Sequence, residues 1–434
     1  MENLIPYIKL IILALACLVT GVCTLNRKWY VNLPVFLICI AGETFMAYLF
    51  FPAYALWPAC GSVAIFAFST AWEHLKPSGR KENKSPIRLP VISGVPYRHL
   101  EFYYYYSNFL VYGGAGSGKT KSIGKWLLEE YIRLGFAGFI YDFKDVDYTQ
   151  TAYNLTKKYG YPHKFYYVSF DKPERSYRFN PLKVVKDRTE LMQLMEDVLL
   201  ALLPKGEKQN EWVAGGLGIL RGVAFRFWDE FPEYCTLPHI MAFIMTASTR
   251  QLSIFLQQNL VAEMMAGAYL KAEGSEKTQA SYLSTLCNNL STISQNEEIA
   301  YILSGDDFDF NLIDPEDPKL FAISNNFSKN SVYAPVIGML MSISTRQFTM
   351  QNKVPFVYFL DEMTTVNIKN FETLPSVLRE YKVGFVLLTQ SGAKLEALYG
   401  KLDRSSVEAN FGIQFFGRTK DCLLYTSPSP RDRG

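Results

Sequence analysis

The sequence is poor in the residues that build metal centres and disulfide frameworks. Only four histidines occur in 434 residues, and the seven cysteines include no Cys-x-x-Cys pair. Four of those cysteines (Cys17, Cys23, Cys39 and Cys60) fall in apolar N-terminal segments. No structural metal and no disulfides are expected, as suits a reducing cytoplasm. A strong charge imbalance is also missing. The net charge is only +3, too small to argue for nucleic acid by itself. There is no internal repeat and no long low-complexity stretch, which excludes a solenoid or a disordered scaffold.

What is present is a complete phosphate-binding loop. Residues Gly113, Gly114, Ala115, Gly116, Ser117, Gly118, Lys119 and Thr120 satisfy G-x-x-x-x-G-K-[ST]. Successive backbone N–H groups in such a loop cradle phosphates, and glycine is required because a Cβ would block the approach. Lys119 would reach the β- and γ-phosphates, and the Thr120 hydroxyl would ligate Mg²⁺. The flanks fit. Asn108–Tyr112 reads as a short buried strand, and Ile123, Trp126, Leu127, Tyr131, Ile132 and Leu134 recur at helical spacing. A helix N-terminus would then face the phosphates.

The complementary acid should end another apolar strand, and Phe356–Leu360 followed by Asp361 and Glu362 supplies it. Asp361 would hold Mg²⁺ through water, and Glu362 would orient or deprotonate the attacking water. A third strand, Val383–Thr389, ends at Gln390, which can sense the γ-phosphate or line up water. A Glu directly after the metal Asp favours hydrolysis of a nucleoside triphosphate over transfer to a small acceptor.

The N-terminal third is apolar. Residues 5–25 contain one charge, Lys9, and residues 29–72 contain one, Glu43, which is read as lying near the membrane interface. The first segment can span a bilayer, and the second is long enough for a hairpin of two spans turning near Pro52. Arg27 and Lys28 on one side, and Lys76, Arg80, Lys81, Lys84 and Arg88 on the other, are placed in the cytoplasm by the positive-inside rule. Three spans with the N-terminus outside and two spans with it inside both stand.

Beyond the first strand and helix, Phe139–Tyr141 runs into Asp142-Phe143-Lys144 as a second strand, and Tyr166–Phe170 reads as a third. Residues 186–300 are helical in pattern, and strands return at 320–324. The expected fold is an α/β nucleotide-binding domain with an all-α insertion, preceded by transmembrane helices. The boundaries read 1–73 for the membrane region, 74–100 for a basic linker, 101–185 and 301–421 for the two parts of the nucleotide domain, and 186–300 for the insertion. Residues 422–434 match the in-frame translation of a transposase adapter used in sequencing libraries and are set aside from the fold.

The chain resembles the type IV coupling proteins of conjugation and type IV secretion, closest to membrane-anchored mobilisation forms found in Bacteroidetes. The resemblance spans residues 1–421. It rests on the phosphate loop, Tyr141-Asp142-Phe143-Lys144, Asn180-Pro181, Tyr234–His239, Ser304–Phe308, Asp314–Lys319, Leu360-Asp361-Glu362 and Thr389-Gln390 in order. It implies a RecA-like ATPase using ATP and Mg²⁺. It also implies anchoring in the bacterial inner membrane with the ATPase domain in the cytoplasm, and assembly as a homo-hexamer. Such a ring would receive a relaxase–single-stranded DNA complex and deliver it to the components of a type IV secretion channel.

In a ring, an arginine from the neighbouring subunit should reach the γ-phosphate, and the resemblance points to Arg379, with Arg418 as a weaker candidate. For DNA contact, Phe102–Tyr106 is the loudest aromatic run, read as alternate rings packing into and over the sheet. Asn325, Asn326 and Lys329 form either a pore-facing loop or a surface turn. His163 and His239 read as structural. Two other functions stay in view. One is a membrane-anchored DNA translocase of the chromosome-segregation type, and the other is an adaptor that binds nucleotide without hydrolysing it. A solute pump is disfavoured by the small membrane part.

Overall fold

A computed structural model describes residues 29–50, 60–64, 86–91, 99–104, 106–203, 210–349 and 352–418, with a few isolated positions near the N-terminus. The chain divides into two compact units, Met1–Lys84 and Ser85–Gly434. The expected first span and the adapter-like tail lie outside the described residues.

In the first unit, helix Trp29–Phe50 covers part of the second apolar segment. Its side chains are described from Leu37 onward. Among the described residues no helix is long and apolar enough to cross a membrane. Glu43 is 7% exposed and accepts a 2.6 Å hydrogen bond from the Ser62 hydroxyl.

The second unit is built on a seven-stranded sheet. Its strands are β3 (Phe109–Tyr112), β4 (Ala137–Asp142), β5 (Lys164–Ser169), β6 (Lys319–Ser324), β7 (Phe356–Leu360), β8 (Val383–Thr389) and β9 (Ile413–Phe416). They lie in the order β5-β6-β4-β7-β8-β3-β9 and every pairing is parallel. Parallel strands need helical crossovers that cover both faces, which is why these segments read as near-continuous apolar runs. Side chains then sort by alternation. Phe109, Val111, Ile140, Phe359 and Leu388 face one apolar cluster with helices Lys125–Arg133 and Asp147–Tyr159. Leu110, Tyr112, Phe139, Tyr141, Tyr358 and Leu387 face the other.

That second face carries the all-helical stretch from Arg188–Leu202 to Glu297–Leu303, and helix Asn330–Thr345. At its centre, helix Glu211–Glu230 packs closely on its neighbours. A Cβ at Gly215 would lie 2.3 Å from the Tyr282 ring, so only glycine permits that approach. Asp197, in Arg188–Leu202, is buried and holds both Arg346 and Lys369, the latter at 3.0 Å. This pins the helical stretch to segments on either side of β7.

A separate antiparallel pair, β1 (Ile87–Pro90) with β2 (His99–Phe102), occupies part of the stretch expected to be linker. Ile87 and Leu89 are buried against the first apolar cluster, and the Arg88 N–H donates to Glu130 at 2.7 Å.

Because all seven strands run the same way, their C-terminal ends share one edge. Tyr112, Asp142, Ser324, Leu360 and Thr389 end there, and each is followed by a polar or glycine-rich turn. This is the edge where open α/β sheets bind ligands.

Candidate nucleotide site

The loop between β3 and the following helix is Gly113–Lys119. It begins with the Gly113 N–H donating to the Thr389 carbonyl at 3.1 Å, which ties it to the end of β8. A Cβ at Gly113 would fall 2.3 Å from Ser117 Oγ and 2.7 Å from Lys119 Cγ, so the loop closes only around glycine. Gly118 has φ +83°, a left-handed conformation that reverses the chain into the helix. That helix opens with a π-turn, Thr120–Gly124, before Lys125–Arg133, and its first N–H groups lack intrahelical acceptors. Ala115 and Gly116 form the exposed tip.

From the far side, β9 braces the loop. The Gly417 N–H donates to the Tyr112 carbonyl at 2.7 Å, and the Gly114 N–H to the Arg418 carbonyl at 3.0 Å. The Arg418 carbonyl therefore sits beside this chain's own loop, and its side chain is exposed.

Lys119, Asp361 and Glu362 converge in one buried pocket. Lys119 Nζ lies 3.5 Å from Glu362 Oε2, and the three residues are 9%, 1% and 2% exposed. Burial holds the Lys119 ammonium below its ordinary value, against the pull of Glu362 and Asp361. Asp361 is pushed up to about 7, first by burial and then by Asp142 and Glu362, while Lys144 and Lys119 oppose the rise. Its Oδ2 is buried without a hydrogen-bond partner, as is Ser117 Oγ in the loop. A buried, orphaned carboxylate oxygen is costly unless a ligand completes it. With the Thr120 hydroxyl, this donor set fits a hard divalent cation that takes oxygen ligands, as Mg²⁺ does.

The Asp361 shift has a stability consequence. An unfolded Asp carboxyl titrates near 3.9. Between that pH and about 7 the folded chain keeps a proton that the unfolded chain has released, so stability falls as pH rises through the window. The loss is on the order of 4 kcal/mol at most. Asp361→Asn removes the group that must ionise. It is expected to raise the melting temperature of the nucleotide-free protein at pH 8 by several degrees and to leave it nearly unchanged at pH 4.5. Thermal unfolding at both pH values checks this; equal shifts at the two would refute it.

Glu362 is the strained member of the pocket. It has φ +46°, which costs a non-glycine residue roughly 1–3 kcal/mol. Its Oε1 lies 3.5 Å from Lys394 Nζ, and Lys394 also donates to Gln390 Oε1 at 2.9 Å. Gln390, half-buried at the end of β8, is thus linked to Glu362 by a lysine that the motif reading did not single out. Its position four residues after Gln390, at the start of helix Gly392–Tyr399, is the spacing that brings side chains together.

Lys144, at the tip of β4, reaches Thr120 Oγ1 with its Nζ at 3.5 Å, a contact its place in the sequence does not reveal. The turn after β4 aims it there, with Asp145 and Val146 both at positive φ. Asp142 anchors that turn. It is fully buried and accepts from the Thr149 N–H and hydroxyl at 2.8 and 3.0 Å.

Other expectations fall differently. Arg379 is exposed in the turn Leu378–Tyr381 just before β8. The site lies at the opposite end of that seven-residue strand, roughly 20 Å away. Asn325 is not on a surface turn: it is 2% exposed and donates to the Tyr141 hydroxyl at 2.8 Å. Lys329 is paired with Asp171 at 2.6 Å. The aromatic run does not alternate, since the adjacent Tyr103 and Tyr104 are both exposed while Phe102 packs on Phe109 and Phe415. His163 contacts the Gly135 carbonyl, and His239 contacts Thr236, the cap of its helix, as structural residues do.

Comparison with known proteins places this geometry. A family model described as type IV secretory system conjugative DNA transfer matches residues 76–422. The chain belongs to that family. It is a type IV coupling protein, assigned by membership to conjugative DNA transfer. Among curated proteins none matches its sequence. Among solved structures it is similar to the bacterial conjugative coupling protein TrwBΔN70 in complex with sulphate. That match has 18% identity and a TM-score of 0.58, and it covers 79% of this chain and 76% of the other. It is also similar to plasmid coupling protein TrwB in complex with ADP and Mg²⁺ (19%, TM-score 0.56, 78% and 75% covered). The TrwB complex with a non-hydrolysable ATP analogue matches at 18%, with a TM-score of 0.56 and the same coverage. At these identities the likeness shows the fold alone, a parallel α/β sheet whose β3 leads into the phosphate loop.

Proposed function

We propose that this coupling protein hydrolyses ATP with Mg²⁺ at the loop 113–120. We further propose that, as a homo-hexamer anchored in the bacterial inner membrane, it uses that hydrolysis to pass a relaxase-bound single strand to a type IV secretion channel. The observation that carries the reading is the convergence of Lys119, Thr120, Asp361 and Glu362 at one sheet edge, with Asp361 Oδ2 left unpartnered. The glycine loop and helix N-terminus would bind the phosphates. Lys119, released from Glu362, would neutralise charge on the β- and γ-phosphates. Thr120 and Asp361 would hold Mg²⁺, which supplies charge neutralisation and polarises the γ-phosphoryl group. Glu362 would then accept the proton of the attacking water, and Gln390, steadied by Lys394, would orient that water. The TrwB structures with ADP and Mg²⁺ and with an ATP analogue support the choice of nucleotide and cation.

Membrane anchoring draws support from helix Trp29–Phe50, where Leu37, Ile38, Phe45 and Leu49 are exposed and apolar. Arg379 is the reading's trans-acting group, since it stands at the far end of β8 and cannot serve its own loop. Arg379→Ala is expected to lower the turnover of the assembled protein by roughly three to five orders of magnitude. The same substitution in dilute, unassembled protein should change little, and an equal loss in both states would remove the trans role.

The deciding experiment for the whole reading is steady-state ATP hydrolysis by the full chain in detergent, with and without single-stranded DNA. Stimulation by DNA is expected. Tight ATP binding without turnover, in assembled protein with DNA present, would replace the motor with a non-hydrolysing adaptor.

A further inference from the structure

The strain at Glu362 is held by a hydrogen-bond chain whose direction follows from counting protons. The Thr365 hydroxyl donates its single hydrogen to the Glu362 carbonyl at 2.7 Å. At its 2.7 Å contact with the Tyr141 hydroxyl it must therefore accept. Tyr141 has then used its only hydrogen, so it accepts from Asn325 Nδ2 at 2.8 Å. The remaining Nδ2 hydrogen goes to Asn330 Oδ1 at 2.7 Å, and Asn325 Oδ1 accepts from the Asn326 N–H at 2.8 Å. The Asn325 N–H donates to the Asp142 carbonyl at 2.8 Å, fixing the amide from the backbone side.

Asn325 (2% exposed), Tyr141 (0%) and Glu362 (2%) lie away from water, while Thr365 and Asn330 are half-buried. The Glu362 carbonyl also accepts from the Thr365 N–H at 3.0 Å, so the hydroxyl is its second hold, and loss of that hydroxyl leaves the Tyr141 O–H without its acceptor. The chain ends on the carbonyl of a non-glycine residue at φ +46°, whose carboxylate faces Lys119. None of Asn325, Tyr141 and Thr365 hydrogen-bonds to the phosphate loop.

We propose that Asn325 is a positioning residue for hydrolysis. Through Tyr141 and Thr365 it holds the Glu362 backbone in the left-handed conformation that keeps the carboxylate at the reacting phosphate. This rests on the reading that Glu362 activates water. Relaxation of the Glu362 backbone would move its carboxylate by an ångström or so, enough to slow a proton transfer many-fold while leaving the phosphate contacts in place.

The test compares Thr365→Val, Asn325→Leu, Thr365→Ser and Glu362→Gln in the full chain, by kcat, KM for ATP and thermal unfolding. The Val and Leu variants are expected to lose about tenfold or more in kcat, with KM within about twofold of the parent. Thr365→Ser, which keeps the hydroxyl, should keep the parent kcat. Unchanged kcat in Thr365→Val, with Glu362→Gln inactive, would show that the chain only packs the sheet edge and overturn the proposal. Loss of kcat in Thr365→Ser as large as in Thr365→Val would also overturn it. Should Asn325→Leu fail to unfold cooperatively, Thr365→Val decides alone, because it replaces one hydroxyl by a methyl. Turnover persisting in Glu362→Gln is a separate failure, that of the water-activation reading itself.

Discussion

Lys119→Ala is expected to reduce ATP hydrolysis at least a hundredfold, to the background of the assay, and to weaken nucleotide binding with it. The side chain is 8% exposed and its ammonium faces Glu362 at 3.5 Å with Asp361 nearby. Removing a cation from such a pocket leaves two acidic side chains where the triphosphate must bring four negative charges. The attraction lost is large because the site is shielded from water, where charge interactions are several times stronger than at the surface. Isothermal titration with ATP and a coupled hydrolysis assay would separate the two losses. Retention of more than a tenth of the parent turnover would mean that Lys119 is not the phosphate lysine.

Glu362→Gln should behave in the opposite way on binding. Turnover is expected to fall by about 10²–10⁴-fold, the usual contribution of a positioned general base. ATP affinity should be kept or raised, since the amide removes one negative charge from beside the phosphates. The Lys119 contact at 3.5 Å and the Lys394 contact at 3.5 Å both lose their ionic character in this variant, so Lys119 is freed for the nucleotide. Trapped ATP, detected by acid quench after gel filtration, checks the prediction. Hydrolysis at more than a tenth of the parent rate would move the role of base to another group.

The acid at Asp361 joins catalysis to stability. The buried carboxylate that suits a cation is a liability in the empty protein, and Asp361→Asn should show it as a gain in melting temperature together with loss of function. Natural active sites commonly hold such unfavourable groups, because the ligand completes them.

The phosphate loop, its strand and helix, and the strand ending in Asp361-Glu362 were legible in the sequence. Each rests on local rules: glycine where a Cβ would collide, apolar runs for strands covered on both faces, helical spacing after Lys119. Lys144, Lys394 and Asn325 were not legible in those terms. Lys144 is a long side chain whose reach depends on a turn with Asp145 and Val146 at positive φ, and Lys394 meets Glu362 only because β7 and β8 pair. Asn325 follows a strand in a polar run that reads as a surface turn, and its burial depends on Tyr141 standing one strand away. The alternation expected of the Phe102–Tyr106 run fails for a related reason. Phe102 packs because β2 pairs with β1 over the first apolar cluster, and the chain leaves the sheet at Tyr103.

By itself the sequence determined that the chain is an α/β protein with a phosphate loop and an Asp-Glu pair closing an apolar strand, because these depend on residue type and short spacing. The tertiary structure alone decided the strand order. It sets β8 between the loop strand and the acid strand and so brings Gln390 and Lys394 to Glu362. It also decided that Arg379 stands at the opposite end of β8 from its own loop, and that Asn325, Tyr141 and Thr365 form a hydrogen-bond chain ending on the Glu362 carbonyl. These depend on which strands pair and on contacts such as that of Tyr141 with Thr365, 224 positions apart. Such contacts are set by packing the whole sheet between its two helical layers, and no local pattern encodes them.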